Sequence, residues 1–134
     1  MPNVARGTSP SMDTSSAMFA PQISGSLIAG ENLDGVSPCY IRASDGRVYM
    51  TNGTAANEAA KFDGFCAKAT KAGESVTLFG VGARFRYATG LTIGQNFFAG
   101  TTAGVLSDTA TTGGTAVLAR AINATDIRVV ANFA

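Results

Sequence analysis

The sequence carries few of the side chains that usually perform catalysis. It contains no histidine, the commonest general base and a frequent metal ligand. Its nine carboxylates are scattered, and most fall in turn-like stretches, where acidic residues shape the backbone. The carboxylates in such stretches are Asp34, Asp45, Glu74, Asp108 and Asp126. The pattern therefore does not indicate general acid–base chemistry.

Motifs for nucleophilic catalysis and phosphate binding are also missing. No serine or cysteine lies in the G-x-S-x-G pattern of a nucleophile turn. The glycine clusters Gly80–Gly82 and Gly113–Gly114 lack the spacing and the following lysine of a phosphate-binding loop. We therefore expect a protein that is not an enzyme and that has no metal, cofactor or catalytic site.

The two cysteines, Cys39 and Cys66, are the remaining reactive side chains. Their separation does not match the closely spaced ligand pairs of zinc sites. Because cytosolic thiols usually stay reduced, we expect two free, partly buried cysteines. A disulfide that closes the long loop between them stays open as an alternative.

One basic and aromatic run, Arg84–Phe85–Arg86–Tyr87, allows two interpretations. Alternating arginines and rings are typical of proteins that bind single-stranded nucleic acid. The same alternation describes an ordinary strand with Phe85 and Tyr87 facing inward and both arginines facing outward. The sequence has no second basic patch, so we favour the ordinary strand.

The overall charge balance excludes two classes of partner. The 134 residues have a net charge of +1, and 14% of them are charged, against roughly 25% in typical domains. This balance gives no electrostatic basis for binding nucleic acid or an anionic membrane. No apolar run approaches the roughly 20 residues of a membrane span, and no secretion signal is visible. We expect neither nucleic acid nor a membrane as partner, and the weakly charged surface favours contact with copies of itself or with a larger assembly.

Residues 1–22 differ in composition from the rest of the chain. They hold three of the four prolines and show no regular apolar periodicity, so they are expected to lack a core of their own. One interpretation is a flexible tail. The other, which we prefer, is an arm that orders on a neighbouring subunit. Its apolar anchors would be Val4, Met12, Met18 and Phe19.

Residues 23–134 read as a single β-rich domain of short strands separated by turns. Ser44–Asp45–Gly46 is a strong hairpin signal, because Asp-Gly supplies the positive φ angles that a tight turn requires. Leu91–Ile93 and other short apolar segments in the second half are predicted to be strands. Thr54–Phe62 is the one helical candidate, an alanine-rich segment with Thr54 as its cap.

The two halves of this domain form a weak internal repeat of five strands each. Four segments of the first half match four segments of the second half in the same order. The matches are Gly30–Leu33 with Gly94–Phe97, Asp45–Tyr49 with Ala103–Leu106, Phe65–Ala69 with Val117–Ala121, and Glu74–Leu78 with Asp126–Val129. The second half is the shorter copy and is expected to close a barrel against the first.

This order of motifs resembles the head decoration, or capsid cement, proteins of tailed bacteriophages. The resemblance covers roughly residues 23–130 and depends on loose motifs in a fixed order. They are the turn Gly30–Gly35, the hairpin Tyr40–Tyr49, the step Phe62–Ala67, the step Ala72–Leu78, and the closing segments Gly94–Ala99, Gly104–Leu106 and Val117–Ile122. The N-terminal arm departs from the family pattern.

The resemblance implies a small β-barrel-like fold, the β-tulip, with one short helix and an extended arm. It implies a homotrimer that binds the outer surface of an expanded capsid and clamps neighbouring major capsid proteins. The protein would be made in the host cytoplasm and end in the virion. Candidate capsid-binding residues in the arm are Val4, Arg6, Met12, Met18 and Phe19. Alternatives are another phage structural protein, such as a head fibre base or tail accessory domain, and a small β-barrel module that binds a ligand or nucleic acid.

Overall fold

The computed structural model describes residues 5, 8, 22–23 and 27–130. These residues form ten short strands and one turn of 3-10 helix, Glu58–Ala60. The strands are β1 (Gln22–Ile23), β2 (Pro38–Ile41), β3 (Val48–Met50), β4 (Gly64–Cys66), β5 (Leu78–Phe79), β6 (Arg84–Arg86), β7 (Asn96–Ala99), β8 (Leu106–Ser107), β9 (Ala119–Ala121) and β10 (Asp126–Val129). The first strand begins at Gln22, one residue inside the predicted arm.

The strands form two five-stranded antiparallel sheets, one from each half of the chain. The first sheet has the order β1-β5-β4-β2-β3, and the second has the order β6-β10-β9-β7-β8. When the strands of each half are numbered from one to five, both orders become 1-5-4-2-3. The predicted internal repeat of two five-stranded units is therefore confirmed at the level of topology.

The registers of the two sheets also correspond. Ile41 faces Val48 in the first β2–β3 hairpin, and Ala99 faces Leu106 in the β7–β8 hairpin. Both residues of the second pair lie 58 positions after their counterparts. The turn glycines Gly46 and Gly104 are also 58 positions apart, with φ of 67° and 79°, which confirms the predicted match of these hairpins. The positive φ explains why both turns need glycine.

The other predicted matches are displaced along the chain. Cys66 faces Leu78 as Ala121 faces Ile127, so Cys66 corresponds to Ala121 rather than to the predicted Leu118. By the hairpin offset, Phe97 corresponds to Cys39 rather than to Leu33. The predictions failed there because loops of unequal length separate the strands, and only the hydrogen-bond ladders fix the equivalence.

The mainly-β class is confirmed, but the predicted barrel is wrong. The two sheets are open, with β1 and β3 at the edges of the first and β6 and β8 at the edges of the second. In neither sheet do the two edge strands pair with each other, so no ladder closes into a barrel. The segment predicted as a strand at Leu91–Ile93 forms no regular strand.

The predicted helix at Thr54–Phe62 is reduced to the 3-10 turn. Asn57 caps this turn, because its side-chain oxygen accepts from the Ala59 amide at 3.1 Å. The Thr54 hydroxyl instead donates to the Thr101 carbonyl, at 2.8 Å. A β-carbon on Gly113 would lie 2.1 Å from the Ala55 carbonyl oxygen, so the second half packs tightly against this segment. Tertiary contacts thus override a helix that is too short to form alone.

The larger of two apolar clusters joins the two halves. Phe62 and Phe65 from the first half pack with the buried face of the second sheet. The Phe65 ring centroid lies 5.2 Å from that of Phe62 and 4.9 Å from that of Phe85. Tyr87 links this group to Phe97, with centroids 6.3 Å apart. The smaller cluster belongs to the first half and contains Ala29, Leu33, Cys39, Val48, Cys66, Val76 and Leu78.

We predict that Phe65→Ala lowers the free energy of unfolding by about 3–5 kcal/mol, because it removes a fully buried ring and leaves a cavity. Urea unfolding monitored by circular dichroism measures this change. Ile93→Ala is the matched control, since Ile93 is 74% exposed and its truncation should change stability by less than about 0.5 kcal/mol. Equal effects of the two substitutions would contradict the assigned role of Phe65.

The first hairpin is held by a cluster of charged and aromatic side chains around Asp45. The Arg42 guanidinium pairs with the Asp45 carboxylate and lies 4.1 Å from the Tyr49 ring centroid. The carboxylate also accepts from the Arg47 amide at 3.0 Å and from the Tyr49 hydroxyl at 2.7 Å. The Arg42 guanidinium, followed by the Arg47 amide, holds the pKa of Asp45 well below its usual range.

This lowered pKa predicts that the hairpin loses stability in acid. A carboxylate whose folded-state pKa is depressed stabilises the fold above its unfolded pKa, near 3.9, and the benefit is lost as the pH falls below it. Asp45→Asn should therefore flatten the fall of the melting temperature between about pH 5 and about pH 2. If the melting temperatures of the unaltered protein and of Asp45→Asn fell in parallel as the pH is lowered, the stabilising role of the Asp45 carboxylate would be contradicted.

Candidate functional site

The predicted contact residues of the arm, Val4, Arg6, Met12, Met18 and Phe19, lie outside the described residues. The structure therefore leaves them as predictions. The arm is followed by β1, which pairs with β5 at one edge of the first sheet. Contacts made by the arm thus begin next to a sheet edge.

Large exposed apolar side chains lie on one half of the domain. In the part of the chain that the structure describes, Val81, Ile93, Val105 and Val130 have between 38% and 74% of their surface exposed. All four follow the end of β5, so they belong to the second half. The duplicated halves therefore differ in surface chemistry, and the second half presents the groups that favour protein contact.

The outer edge of β3 is covered by the chain itself. The Val48 amide donates to the Ile28 carbonyl and the Gly30 amide donates to the Val48 carbonyl, both at 2.9 Å. The Met50 amide donates to the Glu31 carboxylate at 2.9 Å. The residues just after the arm therefore occupy a position beside the first sheet that resembles an added strand.

The basic and aromatic run forms an ordinary strand. Arg84 and Arg86 of β6 are exposed, whereas Phe85 is half-buried and packs on the larger apolar cluster with Tyr87. Arg84 Nε lies 3.1 Å from the Asp126 carboxylate. The strand interpretation is confirmed by these contacts, since both rings are engaged in the core rather than available for stacking on bases.

An apolar cavity of about 250 Å³ lies between the two halves, beside the aromatic cluster. It is lined by Val36, Phe65, Cys66, Ala67, Phe79, Ala83, Arg84 and Phe85. A single charged side chain, Arg84, belongs to this lining, and its guanidinium already faces Asp126. The cavity therefore lacks the convergent polar groups that orient a polar substrate.

The two cysteines are free and buried, and they are adjacent, which the sequence did not establish. Cys39 lies on β2 and Cys66 on the neighbouring strand β4, and the Cys39 thiol donates to the Ser37 carbonyl at 3.4 Å. The register pairs Cys39 with Gly64, so Cys66 is its diagonal neighbour. Both thiols are free, as expected from the sequence.

Val36 shapes the surroundings of the Cys66 sulfur. Its φ of 55° is left-handed, which costs roughly 1–2 kcal/mol in a residue with a β-carbon. Hydrogen bonds from the Cys39 thiol and from the Ser37 and Val36 amides lower the pKa of Cys66 to about 7. Contact with Cys66 and burial raise the pKa of Cys39. In its neutral form Cys66 Sγ instead donates to the Asp34 carbonyl at 3.1 Å.

Several carboxylates bind backbone amides, as turn formers do. Glu74 accepts from the Lys71 amide at 2.8 Å, and Asp45 accepts within its hairpin. Asp63 and Glu58, from one loop, accept from the Ile41 and Ala43 amides, both at 2.8 Å. Within the described residues no group of three or more metal-binding side chains comes together, and no helix is long and apolar enough to cross a membrane.

No known family model matches this chain, and no curated protein matches its sequence.

We predict that the Cys66 thiol ionises with a midpoint near pH 7, whereas Cys39 stays protonated at that pH. The ultraviolet absorbance of the thiolate, followed with pH in the Cys39→Ala and Cys66→Ala variants, separates the two sites without a labelling reagent, which the buried thiols would exclude. Cys39→Ala should shift the Cys66 midpoint upward, because it removes the thiol that contributes most to lowering the pKa. If both cysteines of the folded protein ionised at the same pH, the assigned difference between their pKa values would be contradicted.

Proposed function

We propose that this protein is a structural virion protein of a tailed bacteriophage. It binds the outer surface of the expanded capsid and stabilises the shell by clamping neighbouring major capsid proteins. It acts as a homotrimer and has no catalytic function. The motif order from Gly30–Gly35 to Val117–Ile122 supports the family assignment, and the mainly-β fold is compatible with it.

The observation that carries the proposal is the exposure of large apolar side chains on the second half of a weakly charged domain. Val81, Ile93, Val105 and Val130 lie in turns and loops, where a partner surface can reach them. A capsid presents many equivalent partners, so weak contacts add over the lattice without any single tight site. The same exposure on an isolated domain would favour self-association.

The arm supplies the second set of contacts in this proposal. Val4, Met12, Met18 and Phe19 bury apolar surface on the capsid, and Arg6 pairs with an acidic group there. Each fully buried side chain of this kind contributes roughly 1.5–3 kcal/mol before the cost of ordering the arm is subtracted. The arm thus converts a shallow contact into a clamp between two neighbouring subunits.

The alternative of a small β-barrel that binds a ligand or nucleic acid has less support. The larger cluster fills the space between the halves with side chains, and the cavity beside it is apolar. The strand with two arginines is engaged in the core through Phe85. Another phage structural role, such as a fibre base, would use the same exposed groups. A binding experiment with capsids and with isolated tails or fibres distinguishes it from capsid decoration.

We predict that the purified protein co-sediments with expanded, undecorated capsids until its sites are saturated, and that it does not bind unexpanded proheads. Capsids with the protein should also resist heat or chelators better than bare capsids. Absence of co-sedimentation at a large molar excess would overturn the decoration role. Binding to isolated tails or fibres instead would support the alternative structural role.

Deletion of residues 1–21 tests the contribution of the arm in the same assay. The deletion stops before Gln22, because Gln22 pairs with Phe79 in the first sheet. Capsid affinity should fall at least tenfold, while the melting temperature of the free protein stays nearly unchanged. The matched control replaces residues 1–21 by a glycine–serine segment of equal length. Unchanged capsid binding by both variants would show that the arm is a flexible tail.

A further inference from the structure

The internal repeat places β3 of the first sheet and β8 of the second at equivalent edges. Each is the last strand in its sheet, and each pairs with the preceding strand of its hairpin in the same register. Val48 and Leu106 are equivalent residues, 58 positions apart. The hydrogen bonding of the first edge therefore indicates what the second edge is shaped to accept.

Leu106 directs its main-chain groups away from β7. The Gly100 amide donates to the Val105 carbonyl at 2.8 Å, as the Arg42 amide donates to the Arg47 carbonyl at 2.9 Å in the first hairpin. Hydrogen-bonded and non-bonded pairs alternate in an antiparallel ladder, so the next pair, Ala99 with Leu106, is not bonded across the hairpin. The main chain of Val48, the equivalent residue, binds the segment Leu27–Gly30 at this position.

The corresponding partner is missing at β8. Among the described residues, no main-chain hydrogen bond outside the β7–β8 ladder involves Leu106 or Asp108. The Tyr87 hydroxyl, a side-chain group, is near the Leu106 main chain. The Leu106 carbonyl and the amide of Asp108, which follows β8, have no main-chain partner beyond that ladder in this part of the chain.

The second half has its own copy of the covering segment, but that copy lies elsewhere. Ile23 of β1 corresponds to Phe85 of β6, an offset of 62, which places the counterpart of Leu27–Gly30 at residues 89–92. Within it, the Leu91 amide donates to the Ala124 carbonyl at 2.9 Å and makes no bond to β8. The chain therefore cannot cover both edges in the same way.

A groove of about 580 Å³ lies beside the uncovered edge. It is lined by Gln95, Phe97, Gly100, Thr101, Thr102, Val105, Leu106, Ser107, Asp108, Thr109 and Thr111. Asp108 is its one charged residue, and Val105 is 46% exposed. A threonine-rich groove with one charged residue, next to open backbone groups, suits an extended segment of small and apolar residues.

We propose that the outer edge of β8 is a docking site for an extended segment from residues 1–21 of a second copy of this chain. These 21 residues precede β1 and would span up to about 70 Å when extended, enough to reach a neighbouring molecule. They are rich in small, uncharged residues with spaced apolar anchors. Beyond them the chain continues through β1 to Leu27–Gly30, which covers the equivalent edge of the first sheet.

The docked segment adds a strand to the second sheet through the Leu106 carbonyl and the Asp108 amide. Its small side chains enter the groove beside Val105. A short segment is enough to cover two outward residues, so the rest of the arm stays free for the capsid. This inference deepens the proposed function by naming a contact between copies, and its test needs no capsid.

Cysteine cross-linking tests the docking directly. In a Cys39→Ala, Cys66→Ala background, one chain carries Asp108→Cys and a second chain of different mass carries a single serine-to-cysteine change in the arm. The positions Ser9, Ser11, Ser15 and Ser16 are scanned, because serine and cysteine are nearly isosteric. Lys71→Cys, exposed on the first half, replaces Asp108→Cys in the matched control.

The proposal expects a heterologous disulfide at one or two arm positions, at least fivefold above the Lys71→Cys control. Cross-links that form mainly within one chain would overturn it, because the arm would then fold onto its own copy. Yields equal to the control at every position would overturn it as well. If the cross-link is absent but the protein still binds capsids, the docking proposal fails and the proposed function stands. If the cross-link forms but the protein does not bind capsids, the docking proposal stands and the proposed function fails.

Amide hydrogen exchange provides a second measurement on the unaltered β8 sequence. At high protein concentration, the Asp108 amide should exchange at least tenfold more slowly in the full chain than in the variant lacking residues 1–21. The Val48 amide is the internal control, since its bond to Ile28 is present in both proteins. Equal exchange of the Asp108 amide in the two proteins would contradict docking at this edge.

Discussion

The contact on which the rest of the structure depends is the insertion of Phe65 into the aromatic cluster between the two halves. Phe65 belongs to β4 of the first sheet, yet its ring packs on Phe85 and Tyr87 of the second half. Strands of two to four residues make too few ladder bonds to stabilise a sheet alone, so each sheet needs the apolar surface of the other. A small domain gains most of its stability from such shared burial.

The two halves share one strand order but present different surfaces. Both sheets use the order 1-5-4-2-3 with matching registers, but their loops and edges differ. The first half covers its β3 edge with Leu27–Gly30 and keeps its large apolar side chains inside. The second half leaves the β8 edge less covered and exposes Ile93 and Val105. One arrangement of strands thus carries two surfaces that differ in the exposure of large apolar side chains.

The buried thiol pair contributes to packing. Cys39 and Cys66 belong to the smaller apolar cluster as compact side chains, and their thiols donate to the Ser37 and Asp34 carbonyls. The groups that lower the pKa of Cys66 are the Cys39 thiol and backbone amides. The strained backbone at Val36 is retained because the surrounding turn and both strands hold it in place.

The sequence alone determined the β class, the glycine hairpins at Gly46 and Gly104, the turn roles of Asp45 and Glu74 and the doubled five-strand plan. These features depend on local chemistry, such as the positive φ that glycine permits. Tertiary structure decided the exact strand equivalences, the open sheets, the loss of the Thr54–Phe62 helix and the meeting of Cys39 with Cys66. Each of these depends on which distant segments share hydrogen bonds and buried surface, and residue order does not specify that pairing when strands are short and loops vary in length.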